Sequence, residues 1–110
     1  MQEKTESMVL CASNGYEQKY YLNPDFENLP ASVRDELKIL CVLFTEEIGG
    51  IFLLEYDEDG NLNMKVMHDD FDASYDEIGC GLKIKQLQTE KRDLFESLEM
   101  FYKVFVLGEV

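Results

Sequence analysis

The 110-residue chain has no tryptophan, one histidine, two prolines and three cysteines, and each scarcity removes a class of function. With His68 the sole imidazole, paired-histidine metal centres are missing and most acid–base and nucleophilic schemes lack a part. Cys11, Cys41 and Cys80 are widely spaced, odd in number and without a CxxC pair. That argues against both an extracellular disulfide framework and a structural zinc site. Reduced, buried thiols are expected instead. No GxGxxG, P-loop or GxSxG string occurs.

Long apolar runs are also lacking. Nothing reaches the roughly eighteen residues of a membrane span. The short run Met8 to Ala12 is too brief for the apolar region of a signal peptide, so a soluble, cytoplasmic protein is expected. Few prolines and glycines mean no linker-like tract. The expectation is one domain over residues 8–110, preceded by a flexible tail at 1–7. Basic residues are few, ten against 23 acidic, for a net charge of −13. Such a field repels nucleic acid and anionic membranes, both of which are held by Lys and Arg. A basic protein surface suits it better.

What is present is well patterned. Asn14-Gly15 separates Met8–Ala12 from Tyr16–Leu22, and Asn-Gly between such runs predicts a hairpin over about 8–22, both residues tolerating positive φ. In its second strand Tyr16, Gln18, Tyr20 and Leu22 share a face; a helical turn through Tyr16, Tyr20 and Tyr21 is the rival. Pro30 marks a helix start, and Val33, Leu37, Leu40, Cys41 and Phe44 give the buried stripe of a helix over 31–47. Ile39, Val42 and Leu43 are expected to widen that stripe almost to full burial. Gly49-Gly50 ends the helix.

Ile51–Tyr56 and Leu62–Met67 flank an acidic turn and predict a second hairpin over about 51–67, with Leu62, Met64 and Val66 facing in. The last stretch opens Ser74-Tyr75-Asp76-Glu77, a capping hydroxyl with a carboxylate three residues on. Tyr75, Ile78, Leu82, Leu87, Leu94, Phe95, Leu98, Phe101, Tyr102 and Phe105 then recur at helical spacing. A helix over 74–106 would be about 48 Å long at ~1.5 Å per residue, more than a compact domain of this size can hold. A bend near Gly79 and Gly81 is expected to resolve this; an overhang onto a second subunit, or a strand at Leu82–Ile84, are the other solutions. The order hairpin, helix, hairpin, helix predicts an α+β, two-layer domain with an antiparallel sheet packed against helices.

Four groups of residues are candidates for chemistry. Glu55, Asp57, Asp59, Asn61 and Asn63, with Gly60 between, imitate a calcium loop, but Val66 stands where the closing bidentate carboxylate belongs. A solvated turn is the plainer reading, and a weak divalent-cation site the alternative. Asp69, Asp70, Asp72, Asp76 and Glu77 form a dense acidic run. From Glu46 through Glu77 there are eleven carboxylates and a single base, Lys65. This run is a candidate protein-docking patch, against a rim that merely keeps the chain soluble. Cys80, between two glycines, pairs only with His68 as a possible base. Asp76 and Glu77 beside it oppose thiolate formation, and the glycines are read as permitting close helix–sheet packing. Lys83, Lys85, Lys91 and Arg92 hold four of the ten basic residues; an ordinary exposed helix face is the plainer reading, and self-association against the acidic rim the alternative.

Three strings stand out together: Tyr16-Glu17-Gln18-Lys19-Tyr20-Tyr21; Leu40-Cys41-Val42-Leu43-Phe44-Thr45-Glu46-Glu47 with Gly49-Gly50; and Asp76 through Leu87. Through them the chain resembles, from about Met8 onward, a family of small acidic proteins of unknown function from anaerobic gut Firmicutes. The resemblance implies a stand-alone bacterial cytosolic domain and brings no activity, cofactor or site residue. The expected function is therefore a protein-binding or adaptor domain without catalytic residues, metal or cofactor, forming a homodimer through its long helix or the edge of the first hairpin. A small hydrolase using Cys80 and His68, or an acidic pair, is one alternative. A weak cation binder is the other.

Overall fold

The computed structural model describes residues 8–108. Two antiparallel hairpins build one four-stranded sheet: β1 (Met8–Asn14), β2 (Lys19–Leu22), β3 (Ile51–Tyr56) and β4 (Leu62–Met67), in the order β2-β1-β3-β4. Helices α1 (Ala31–Ile48), α2 (Glu77–Glu90) and α3 (Arg92–Phe105) complete an α+β fold. Pairing Cys11 with Leu54 and Ser13 with Phe52 puts the apolar halves of the central strands on the helix side. Leu62, Met64 and Val66 join them as read from the alternation. Among the described residues, no helix is long and apolar enough to cross a membrane.

The first hairpin turns later than the Asn-Gly signal implies. Its second strand starts at Lys19, with Tyr20 opposite Ser13 and Leu22 opposite Cys11, so Tyr16 and Gln18 lie in the turn. The left-handed residue is Gln18, at φ 55°. Asn14 serves by its side chain, whose Oδ1 accepts from the N–H groups of Tyr16 and Glu17. Gly15 is needed for space. Its N–H donates to the Gly50 carbonyl at 2.8 Å, and a Cβ there would sit 2.9 Å from that same oxygen. The hairpin turn is thereby clamped to the end of α1. A bulge at Leu10 shifts the β1–β3 register, and Asn23 fills it by donating to the carbonyls of Val9 and Leu10.

In α1, Leu37, Leu40, Cys41 and Phe44 are buried as the stripe predicts. Phe44 stacks on Phe52 of β3 with ring centroids 4.1 Å apart. The widening to full burial does not occur: Ile39 is 59% and Leu43 56% exposed. Only one side of α1 faces the sheet and α2, and nothing in the described chain covers the other.

The C-terminal segment is two helices, and the break lies at Lys91 instead of at the glycines. Cys80, Ile84 and Leu87 form the inward row of α2, and the next place in that row is position 91. A lysine cannot continue a buried row. The chain turns there, with φ −110° and ψ 22°, and the ammonium pairs with Glu36 of α1 at 3.0 Å. Ile78 and Leu82, read as part of the stripe, face outward and are exposed. Helix α2 also starts later than the capping-box signal. Asp76 is the N-cap and accepts from the Ile78 N–H, while Ser74 hydrogen-bonds Asp72.

The glycines do not admit helix–sheet packing. A Cβ at Gly79 would lie 2.7 Å from the capping carboxylate of Asp76, and one at Gly81 meets nothing within 4 Å. Gly81 therefore carries only the entropic cost of glycine in a helix. Gly81→Ala is expected to stabilise the protein by roughly 0.5–1 kcal/mol, read as a rise in Tm of about 3–6 °C.

The core closes on α3. Tyr56 is fully buried, stacks on Tyr102 at 4.0 Å and on Phe26 at 5.7 Å, and donates its hydroxyl to the Leu98 carbonyl at 2.9 Å. Burial raises its pKa, so the phenol stays protonated and able to donate. Tyr56→Phe keeps the ring and removes the bond. Leu98 keeps its helical N–H donor, so the expected loss is about 1–1.5 kcal/mol, seen as a lower urea midpoint at unchanged slope.

Candidate functional site

The loop from β4 to α2, residues 68–76, carries most of the acidic run, and its geometry is fixed by its own side chains. Asp69 Oδ1 accepts from the Phe71 N–H at 3.0 Å, and Asp72 Oδ1 accepts from the Ser74 N–H and hydroxyl. These are turns in which a carboxylate replaces a backbone acceptor. The first hairpin holds the loop from outside. Tyr16 donates its hydroxyl to Asp72 Oδ2 at 2.7 Å and accepts from the Asp69 N–H at 2.9 Å.

The electrostatics follow the same contacts. The Ser74 hydroxyl, then the Tyr16 hydroxyl, hold the Asp72 carboxyl below its ordinary range. For Tyr16 the Asp69 N–H pulls the pKa down, but the bond to Asp72 and the nearby carboxylates outweigh it, and the net shift is upward. Asp72 is thus ionised and Tyr16 neutral at physiological pH, as this hydrogen bond needs.

Of the five residues of the acidic patch, Asp69 and Asp72 are joined through Tyr16, and Asp70 is exposed between them. Asp76 is occupied as the cap of α2 and Glu77 opens that helix. Phe71 lies between them, 95% exposed. The sequence pattern assigned this residue to no element and no candidate site. Its signal was available: a lone large apolar residue among four aspartates has no strand or helix face to join.

The remaining candidates are placed differently. His68 stacks on Tyr75 at 4.0 Å, and its Nδ1 lies 3.1 Å from the Asp69 carbonyl. No hydrogen bond joins it to Cys80 among the described residues. Tyr75 is the group beside that thiol; loss of solvation first, then Cys80, push its phenol pKa up. Cys80 itself is buried. In the calcium-like turn, Asp57 spends both oxygens on the turn, accepting from the N–H groups of Asp59 and Asn61 and from the side chains of Asn61 and Asn63. The Asn61 N–H is the main cause of its lowered pKa. Among the described residues, no three His, Cys, Asp or Glu side chains converge on a metal position.

Two hollows flank α1. A groove of about 580 Å³ runs between α1 and α2, with Ile39, Leu43 and Leu87 on its walls and Lys83 and Lys91 at its rim beside acidic residues. On the other side, between α1 and the first hairpin, is a cleft of about 680 Å³.

No curated protein and no solved structure matches the chain. One family model does, over residues 7–110, nearly the whole length. The chain belongs to the family of unknown function DUF6145.

Proposed function

We propose that the chain is a non-catalytic protein-binding domain that docks through the 68–76 loop, with Phe71 as its anchor. The partner surface is an apolar pocket rimmed by Lys or Arg. The observation that carries this reading is the 95% exposure of Phe71 on a loop held in place by five hydrogen bonds to Asp69, Asp72 and Tyr16. Leaving a phenylalanine in water forgoes about 2 kcal/mol of burial. A buried aromatic in the middle of a contact is the usual source of binding energy. Because the loop is already ordered, little conformational entropy is lost on docking. The surrounding aspartates attract a basic rim and repel acidic surfaces.

The test is a comparison of captured proteins. Wild-type chain and Phe71→Ala, each immobilised, are exposed to lysate of the native host. Phe71→Ala is expected to melt within about 2 °C of wild type, since the side chain packs on nothing. It is also expected to lose the protein that wild type captures, and salt is expected to weaken that capture. Equal capture by both chains removes Phe71 as the anchor.

A second reading, self-association, is favoured by the exposure of Ile39 and Leu43 above the α1–α2 groove. Lys83 and Lys91 stand there among Asp35, Glu36 and Glu90, so that face carries charges of both signs and two copies can set opposite charges against each other across it. Light scattering is expected to give twice the 12.8 kDa chain mass, and Leu43→Asp to restore the monomer mass. A wild-type monomer at every concentration ends this reading and leaves the Phe71 one standing.

A further inference from the structure

The cleft between the first hairpin and α1 has no part in either docking surface. Its volume, about 680 Å³, is in the range of small-molecule sites. Tyr20 and Val42 contribute apolar wall, and the charged residues around them are Lys19, Lys38 and Glu46. In a chain of net charge −13, these three lining residues sum to one positive charge, with the Lys19 ammonium also 3.8 Å from Glu17.

Its floor has a defined hydrogen-bond polarity. Thr45 Oγ1 sits 3.1 Å from the Val42 carbonyl and 3.3 Å from that of Cys41, so its single proton goes into the helix. Ser13 Oγ lies 2.8 Å from Thr45 Oγ1 and must donate to it. The Ser13 oxygen is left as an acceptor, with Glu46 a second acceptor in the same lining. The Tyr20 hydroxyl takes no part, being buried without a hydrogen-bond partner among the described residues.

The rim adds an independent observation. Gln18, which lines the cleft, is the only non-glycine residue at positive φ among those described. A left-handed residue at a hairpin turn favours glycine or asparagine. Such strain is kept where the side chain has a use, and an amide at the cleft mouth offers both a donor and an acceptor.

We propose that this cleft binds a small carboxylate that carries an amino or hydroxyl group at its other end. The carboxylate meets Lys38 and Lys19, the apolar body lies over Val42 and the Tyr20 ring, and the donor end reaches Ser13 and Glu46. The probe is 4-aminobenzoate, with 4-aminobenzamide as its uncharged counterpart, each titrated into the nitrogen-15-labelled full chain. The carboxylate is expected to shift the amide resonances of Ser13, Gly15, Tyr20 and Thr45 saturably, with a Kd on the order of 1 mM. The amide compound is expected to leave them in place. Lys38→Gln should weaken binding by about tenfold or more. Gln18→Gly should weaken it about fivefold while leaving Tm unchanged or higher, because glycine relieves the left-handed conformation. Phe71→Ala should bind the probe as wild type does, which keeps this site separate from the docking loop. The proposal is overturned by an absence of saturable shifts, by equal shifts from the uncharged compound, or by wild-type affinity in Lys38→Gln.

Discussion

The buried ring of Tyr56, stacked on Phe26 and Tyr102, joins the two layers of this domain, and its hydroxyl bond to the Leu98 carbonyl sets their alignment. A one-sided sheet must place its apolar face against something, and here the something is discontinuous: α1 covers one half and α3 the other. Tyr56 ends the central strand β3 between them. Its ring is stacked with Phe26 and Tyr102, and large aromatic faces of this kind bury more area than any other side chains. The hydroxyl fixes where along α3 the strand must sit. Glu99, one residue on from Leu98, makes the matching tie to the neighbouring strand by accepting from the Leu62 N–H at 2.8 Å. With α3 located by those two bonds, α2 is confined to the gap beside α1.

From that frame the position of the acidic loop follows through backbone contacts. Gly50 reaches φ 72° and sits so close to β4 that a Cβ would lie 2.6 Å from the Met67 carbonyl. The same residue accepts from the Gly15 N–H, so the end of α1 sets both the start of the loop after Met67 and the turn of the first hairpin. Tyr16, next to Gly15, then spans from that turn to Asp69 and Asp72. Phe71 is therefore presented by the rigid part of the molecule. Loops held in this way are where binding residues are most often found.

How much of this was legible in the sequence depends on what kind of signal carried it. Periodicity was reliable: the buried row of α1 and the alternation of β4 follow from spacing alone, and so does the α+β order. Choices among competing local signals were less so. Gly79 and Gly81 looked like the bend, yet the chain turned at Lys91, because helical glycines cost only about 1 kcal/mol each while burying an unpaired ammonium costs several times that. Lys91 stands where the apolar row calls for a hydrophobic residue, so the interruption was visible in the pattern. The Asn-Gly signal found the first hairpin but misplaced its turn, for a different reason. Gly15 was wanted for close approach to Gly50, a tertiary contact that no local window contains. Ile39 and Leu43 could not be told from core residues, since an apolar side chain carries no mark of what covers it. The acidic patch could be listed residue by residue. Its division into carboxylates that hold the loop and one that caps α2 could not, because it depends on a tyrosine more than fifty residues away in sequence.

The first hairpin's turn serves both surfaces. Tyr16 holds the acidic loop from one side of the turn, and Gln18, two residues on, lines the cleft from the other. Both hang on a backbone clamped at Gly15 and held by the Asn14 side chain. A turn with so few internal degrees of freedom cannot change at Gln18 without moving Tyr16. On the two proposals together, a molecule that alters the turn from the cleft changes the affinity of the loop for a docked protein, and by linkage that protein changes the affinity of the cleft by the same factor. The size of that factor is set by how far the two bound forms differ at Tyr16. If the left-handed backbone at Gln18 is kept in both, the sites are independent, and the turn is only a shared support.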